Sequence, residues 1–317
     1  MKTSVQDRLR ALAARALVGL VHLLPRERAL RIAGPVGRIY AGLGGPRISV
    51  GRVNLRIAFP EWNESRRRGV LAESCANLVR SFVEFALLGR GDAEELRRMV
   101  SIEGLEHLEA ARKDSEHGGV IALTAHFGSW ELLVAAVVAH GLPVAVVHRS
   151  RDNPLTDELL GSLREKSGAE LFSRGSAARA ALRALREGKI VAMTYDQNCG
   201  RGEGVFVPFF GRLACTRSAP PRIAMRTGAP VVPVFVEREG GGARHRARFL
   251  PALEILPQGD DREAAVRENA RRMTRVIEEE IRRFPDHWIW VHRRWRTQPE
   301  GEPRPYPSRR RRRSRPR

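Results

Sequence analysis

The chain has 317 residues, 42% of them hydrophobic, and carries 56 Lys and Arg against 36 Asp and Glu, a formal net charge of +20. That is enough chain to bury a full core in one large α/β domain or two small ones. The charge favours anionic partners: nucleic acid, anionic membrane, acidic protein or phosphorylated substrate. Of the basic residues 52 are Arg and four Lys, a skew that reads either as a compositional bias of the source or as guanidinium forks for phosphate and headgroups. Cys75, Cys199 and Cys215 are an odd number with no metal-ligand spacing. They imply no disulfide framework, a reducing compartment is the default, and Cys199 reads as a small side chain.

Residues 1–25 carry the membrane-like signal. Leu9, Leu12, Ala13, Ala16, Leu20 and Leu23 recur at helical spacing, with Arg8, Arg15 and His22 as a polar stripe. The uncharged run 16–24 is well short of the roughly 20 apolar residues of a spanning helix. It lacks a small-residue cleavage site, so a removed signal peptide is not expected. An amphipathic helix lying in the interface fits, with Arg26, Arg28, Arg31 and Arg38 toward headgroups; an ordinary packed first helix has the same periodicity. A helix is predicted over 61–90. Strands then alternate with helices: strand 118–124, helix 129–140, strand 143–148, helix 154–168, strand 169–172, helix 176–188, strand 189–195, helix 217–228, strands 229–238 and 246–255, and a charged helix 262–284. The pattern predicts an α/β fold with a central mixed, mostly parallel sheet flanked by helices. The tail 299–317 is rich in Pro and Arg and reads as disordered.

The segment 121–133, IALTAHFGSWELL, places His126 just past an apolar strand, Phe127-Gly128 in a turn, Ser129 as a helix N-cap and Glu131 in the first helical turn. On one continuous helix residues five apart diverge by about 140°; across a strand-to-helix turn the two side chains can meet. A general base and its orienting carboxylate need that arrangement, and ligands of open α/β sheets gather at the carboxyl ends of strands. By spacing alone the pattern is weak, since a strand-end His and a capping Glu look the same. A zinc site is disfavoured because the second His of the His-Glu-x-x-His helix is missing.

The blocks around it add specificity. HFGSWEL is followed by HRSRDNP (148–154) after the second strand, DQN (196–198) after KIVAMTY, VPFFGRLACT (207–216) before GAPVVPVF, and WIWVHRRWR (288–296), with NLRIAFPE at 54–61. In this order, over about residues 5–297, the chain resembles the late acyltransferases of lipid A biosynthesis, the lauroyl and myristoyl transferases of the lysophospholipid acyltransferase superfamily. The resemblance implies a glycerolipid-acyltransferase-like fold in which His126 deprotonates the acceptor hydroxyl and Glu131 orients it. Backbone amides near Gly128 or the Arg149 side chain are candidates to stabilise the oxyanion. Arg149 is also a phosphate ligand candidate, with Asn153 fixing its loop. Asp196, beside Gln197 at another strand end, would hold Arg149 or a sugar hydroxyl. Phe209, Phe210 and Gly211 would shape the acyl and glycolipid groove, and 288–296 would be interfacial or a packed helix. The implied donor is acyl carrier protein and the acceptor a phosphorylated glycolipid at the cytoplasmic face of the inner membrane. An anionic membrane surface is a further expected partner. No metal or redox cofactor and no nucleic acid are implied. The division is then a membrane-associating region 1–40, an acyltransferase domain 41–298 and the tail. An acyl-CoA-dependent lysophospholipid or phosphatidylinositol-mannoside acyltransferase is left open by these blocks. A basic membrane or nucleic-acid binder stands as the non-enzymatic alternative.

Overall fold

The computed structural model describes residues 4–148, 154–173 and 177–307. Its centre is a seven-stranded sheet built from β1 (Val100–Glu103), β2 (Val120–Thr124), β3 (Val144–His148), β4 (Glu170–Ser173), β5 (Ile190–Thr194), β8 (Val231–Arg238) and β9 (His245–Phe249), in the order β1-β9-β8-β2-β5-β3-β4. Neighbours run parallel except β8 and β9, which are antiparallel. The middle strand β2, VIALT, is buried at every position. Its unbroken apolar run is what a strand covered on both faces requires. β6 (Gly204–Phe209) and β7 (Arg212–Arg217) form a separate hairpin.

The described chain opens with α1 (Val5–His22), α2 (Arg26–Leu43), α3 (Pro46–Ala58) and α4 (Glu64–Ala86). Short helices α5 (Ala93–Met99) and α6 (Leu105–Asp114) flank β1. The crossovers are α7 (Trp130–Ala139), α8 (Pro154–Glu165), α9 (Ala177–Arg186) and α10 (Ala219–Thr227), and α11 (Arg262–Arg283) follows the last strand. Local signals start several of them: Ser4 and Asp7 close a capping box on α1, and Asn63 and Asp261 cap α4 and α11. Helix α2 lies close against α4. A Cβ on Gly37 would overlap the Cys75 carbonyl and the Ala76 backbone, so only glycine permits that approach.

The first helix differs from the simplest expectation. Its packed face is Ala11, Ala14, Val18 and Val21, not the leucine stripe. Leu9, Leu12 and Leu20 point outward, each 61% exposed. Among the described residues no helix is long and apolar enough to cross a membrane. The segment 288–296 is neither helical nor interfacial: it runs in turns, and Trp288, Trp290, Arg294 and Trp295 are fully buried. The start of the tail also docks. The Tyr306 hydroxyl is buried, donates to Asn54 Oδ1 (2.6 Å) and accepts from the Trp295 amide (3.0 Å).

Candidate active site

The geometry begins with strand register. β2 and β5 pair in parallel with Thr124 opposite Thr194. Two residues further on each chain come His126 and Asp196. Because side chains alternate along a strand with period two, equal steps past a paired position keep the two on one side. His126 Nδ1 donates to Asp196 Oδ1 at 2.8 Å, and the other carboxylate oxygen accepts from the Trp288 indole N–H at 2.8 Å. Asp196 is 1% exposed, whereas the His126 side chain keeps 21% of its surface open. Burial alone would raise the Asp196 carboxyl; His126 and the Trp288 donor outweigh it and hold the group at about 2. The carboxylate therefore stays ionised and holds the Nδ1–H tautomer. Nε2 is left as the acceptor, and the Gln197 amide occupies it, with Nε2···Nε2 at 3.1 Å.

The turn that carries His126 is held on three sides. Phe127 is buried between Phe235 and His287 and bridges by its backbone to Trp288. Gly128 has φ of +54°, and a Cβ there would overlap the Val236 carbonyl; no other residue fits. Its N–H donates to the His287 carbonyl (2.9 Å) and its carbonyl accepts from Ser81 Oγ (2.9 Å). The Gly128 amide is thus engaged and is removed from the oxyanion candidates. Ser129 caps α7 by position only, since its hydroxyl makes no cap bond and is buried without a partner among the described residues.

The carboxylate assignment changes. The expected meeting of His126 and Glu131 is not what brings a carboxylate to the imidazole, because Asp196 occupies that place. Glu131 instead forms a fork with Arg164 of α8, Nε to Oε2 at 3.0 Å and Nη2 to Oε1 at 2.5 Å. Once α7 begins at Trp130, Glu131 is carried toward α8 and away from β5. Asp196, expected to hold Arg149 or a sugar hydroxyl, meets His126 and the Trp288 indole among the described residues. Arg149 and Asn153 lie outside the described residues.

Phe209, Phe210 and Gly211 belong to the hairpin and its packing. Phe210 and Gly211 form the two-residue turn, both with positive φ (50° and 71°), as a type I′ turn requires. Phe210 N–H donates to Glu278 (2.6 Å), and its ring lies against Phe59, Trp290 and Arg282. Phe209 packs on Trp288 and Trp295, one layer behind Asp196. Among the described residues no hydrogen bond or ring contact joins these three to His126. Sequence reasoning missed Trp288 and Arg164 as partners of the acidic groups. The Trp-x-Trp spacing at 288–290 was the available signal, since alternation marks an extended segment with one face buried. Cys199 and Cys215 are buried with their sulfurs 3.5 Å apart. A surface depression of about 430 Å³ beside α11, lined by Leu253, Glu254, Arg272 and Val276 among others, shares no residue with the His126 cluster. Among the described residues no His, Cys, Asp and Glu group has the form of a metal site.

A half-buried base held at Nδ1 by an ionised carboxylate, with Nε2 left as the acceptor, can take a proton from a hydroxyl. Comparison with known proteins narrows the hydroxyl's chemistry. The profile of bacterial lipid A biosynthesis acyltransferases matches residues 6–297. The chain is 28% identical to the lipid A biosynthesis palmitoleoyltransferase of Escherichia coli strain K12 over 257 residues, 81% of each protein. It is 28% identical to the lauroyltransferase of the same organism over 283 residues, 89% of this chain and 90% of the relative. With the myristoyltransferase the figures are 26% over 291 residues, 92% and 88%.

Proposed function

Since the chain belongs to the bacterial lipid A biosynthesis acyltransferase family and is an O-acyltransferase, we propose that it moves a fatty acyl chain from an acyl carrier protein thioester to a hydroxyl of a phosphorylated glycolipid, a lipid A precursor, at the cytoplasmic face of the inner membrane. The observation that carries the mechanism is the 2.8 Å contact of His126 with the buried Asp196. The acceptor hydroxyl replaces the Gln197 amide at Nε2, and His126 takes its proton as the oxygen attacks the thioester carbonyl. Asp196 balances the imidazolium. The displaced Gln197 amide and Arg149 are the donors proposed for the oxyanion. The tetrahedral intermediate collapses, the carbon–sulfur bond breaks, and the proton on His126 passes to the leaving thiolate. Glu131 acts by tethering α8 to α7 through Arg164, which frames the approach to His126.

The donor is a strongly acidic protein, and a chain of charge +20 would steer the encounter. For membrane attachment, the supporting feature is the outward stripe of Leu9, Leu12 and Leu20 on α1 and of Ile32, Val36 and Ile39 on α2, beside exposed Arg8, Arg28 and Arg31. Such faces lie in the headgroup boundary rather than cross it.

The test is acyl transfer by purified protein from acyl carrier protein loaded with graded fatty acids to a tetra-acylated phosphorylated disaccharide, beside His126→Ala, Asp196→Asn and Glu131→Gln. Transfer that collapses in His126→Ala and Asp196→Asn supports the reading. Transfer seen only from acyl-CoA to a lysophospholipid would overturn the donor and acceptor. For Glu131, the charge-swapped pair Glu131→Arg with Arg164→Glu should recover activity lost in Glu131→Gln; a swap as inactive as the single change would sink the tether.

A further inference from the structure

Residues 286–298 form a strap between the N-terminal helices and the two strand-end loops of the site. On one side α3 and α4 hold its backbone. Asn54 Nδ2 donates to the carbonyls of Trp290 (2.6 Å) and His292 (2.7 Å), Ser74 Oγ to that of Trp288 (2.5 Å), and Asn77 Nδ2 to that of Asp286 (3.1 Å). On the other side its side chains and backbone meet the loop after β5 residue by residue. Trp288 donates to Asp196, and Arg294 Nη1 donates to the Gln197 carbonyl (3.3 Å). The Asn198 amide donates to His292 Nε2 (3.2 Å), and Asn198 Oδ1 accepts from the Thr297 amide (3.0 Å). Thr297 Oγ1 donates to the Cys199 carbonyl (2.8 Å). The same strap also accepts the Gly128 amide and pairs with Phe127, so it joins both halves of the His126–Asp196 contact.

Arg294 adds to this. It is fully buried and has no carboxylate within ion-pair distance among the described residues; it bonds to the carbonyls of Gln197 and Cys215 and to Thr216 Oγ1. A desolvated cation with neutral acceptors is costly in a core, and here it fixes the backbone that carries Gln197. A catalytic constellation works only when its groups are held within about 0.5 Å of the productive geometry, and loops alone rarely achieve that.

We infer that the strap is the positioning device of the active site and that Trp288 is a positioning residue acting through Asp196, its indole N–H setting which carboxylate oxygen faces His126. The inference rests on the acyl-transfer reading. Trp290 supplies the internal comparison: it is as buried as Trp288 and in the same strap, but its indole donates to the Pro285 carbonyl (2.6 Å) and not to the loop.

The experiment is steady-state acyl transfer from lauroyl-loaded acyl carrier protein to the tetra-acylated disaccharide, with thermal melting of each variant. Trp288→Phe keeps most of the ring and deletes the N–H. Its kcat should fall about tenfold, the order expected for one lost hydrogen bond to a charged group, with KM within about twofold. Trp290→Phe should melt lower by a similar amount yet keep kcat within about twofold. In an Asp196→Asn background Trp288→Phe should cost less than about twofold, because the partner it acts through is gone. Equal losses of kcat in the two Trp variants, or a full additive loss on Asp196→Asn, would overturn the inference and leave the strap as packing. No transfer by the wild-type chain would overturn the acyl-transfer reading and this inference with it, an outcome distinct from either of those.

Discussion

The carboxyl edge of the sheet and the N-terminal helical layer treat polar and apolar groups in opposite ways. At the edge, Asp196 is buried with both oxygens satisfied, and the imidazole it holds is partly open to solvent. In α1 and α2 Leu9, Leu12, Leu20, Ile32 and Ile39 reach outward, while Ala11, Ala29, Leu30, Ala33, Gly34 and Gly37 face the protein. The edge keeps a buried carboxylate ionised through the His126 and Trp288 partners that outweigh its burial. The helical layer forgoes burial that would contribute about 1.5 to 3 kcal/mol per large side chain and leaves an apolar face available. The first arrangement suits proton transfer, the second suits meeting a lipid surface. The two are joined by α4, whose Glu84 sits with Arg238 (2.6 Å) and His245 (2.8 Å) from β8 and β9 in a buried ionic group.

Removing the edge should give the largest effect. His126→Ala should lower kcat by about 10² to 10⁴, the usual contribution of a general base, and Asp196→Asn should approach it, with vesicle binding of both variants at the wild-type level. Loss of vesicle binding in either variant would break the separation of the two regions. The joint comes next. Glu84→Gln leaves Arg238 and His245 without their carboxylate and should destabilise the fold by about 3 to 5 kcal/mol in denaturant titration. A change under about 1 kcal/mol would mean that the triad does not couple layer to sheet. At the edge, burial holds His292 down to about 4. The unfolded chain binds that proton near 6.5, the folded chain only near 4. Folding therefore carries no penalty from this group above 6.5, loses stability as pH falls from 6.5 to 4, and levels below that. The loss should be on the order of 3 kcal/mol, and His292→Gln should flatten that limb of the stability profile. The smallest effect belongs to the helical layer. Leu20→Ser should weaken binding to anionic phospholipid vesicles by about tenfold and leave the melting temperature unchanged, since the side chain is already exposed. A lowered melting temperature with intact vesicle binding would reassign α1 to ordinary packing.

Much of this was legible from local pattern. The apolar runs 118–124 and 189–195 predict strands that the structure places at 120–124 and 190–194, and helix 262–284 is found at 262–283. The β6–β7 hairpin went unread because its turn residues, Phe210 and Gly211, sit in a block dominated by aromatics. Strand β1, four residues with one buried side chain, carries too little periodicity to stand out. The direction of the α1 stripe could not be read at all: helical periodicity reports that a face is apolar, not what lies against it.

The sequence by itself determined the alternation of strands and helices, and with it the positions of His126 and Asp196 just beyond two strand ends. It also determined the turn at Gly128, because only glycine accepts that φ and that approach to Val236. Only the tertiary structure decided which carboxylate serves the imidazole. Glu131 is five residues from His126 and Asp196 is seventy, yet the parallel register of β2 with β5 puts the distant one in contact, while the start of α7 carries the near one to Arg164. Strand order and register are set by the burial of the whole sheet, a non-local sum that no short motif contains. The strap from 286 to 298 shows the same physics: its tryptophans are visible in the sequence, but which of them touches Asp196 depends on chain more than 90 residues away.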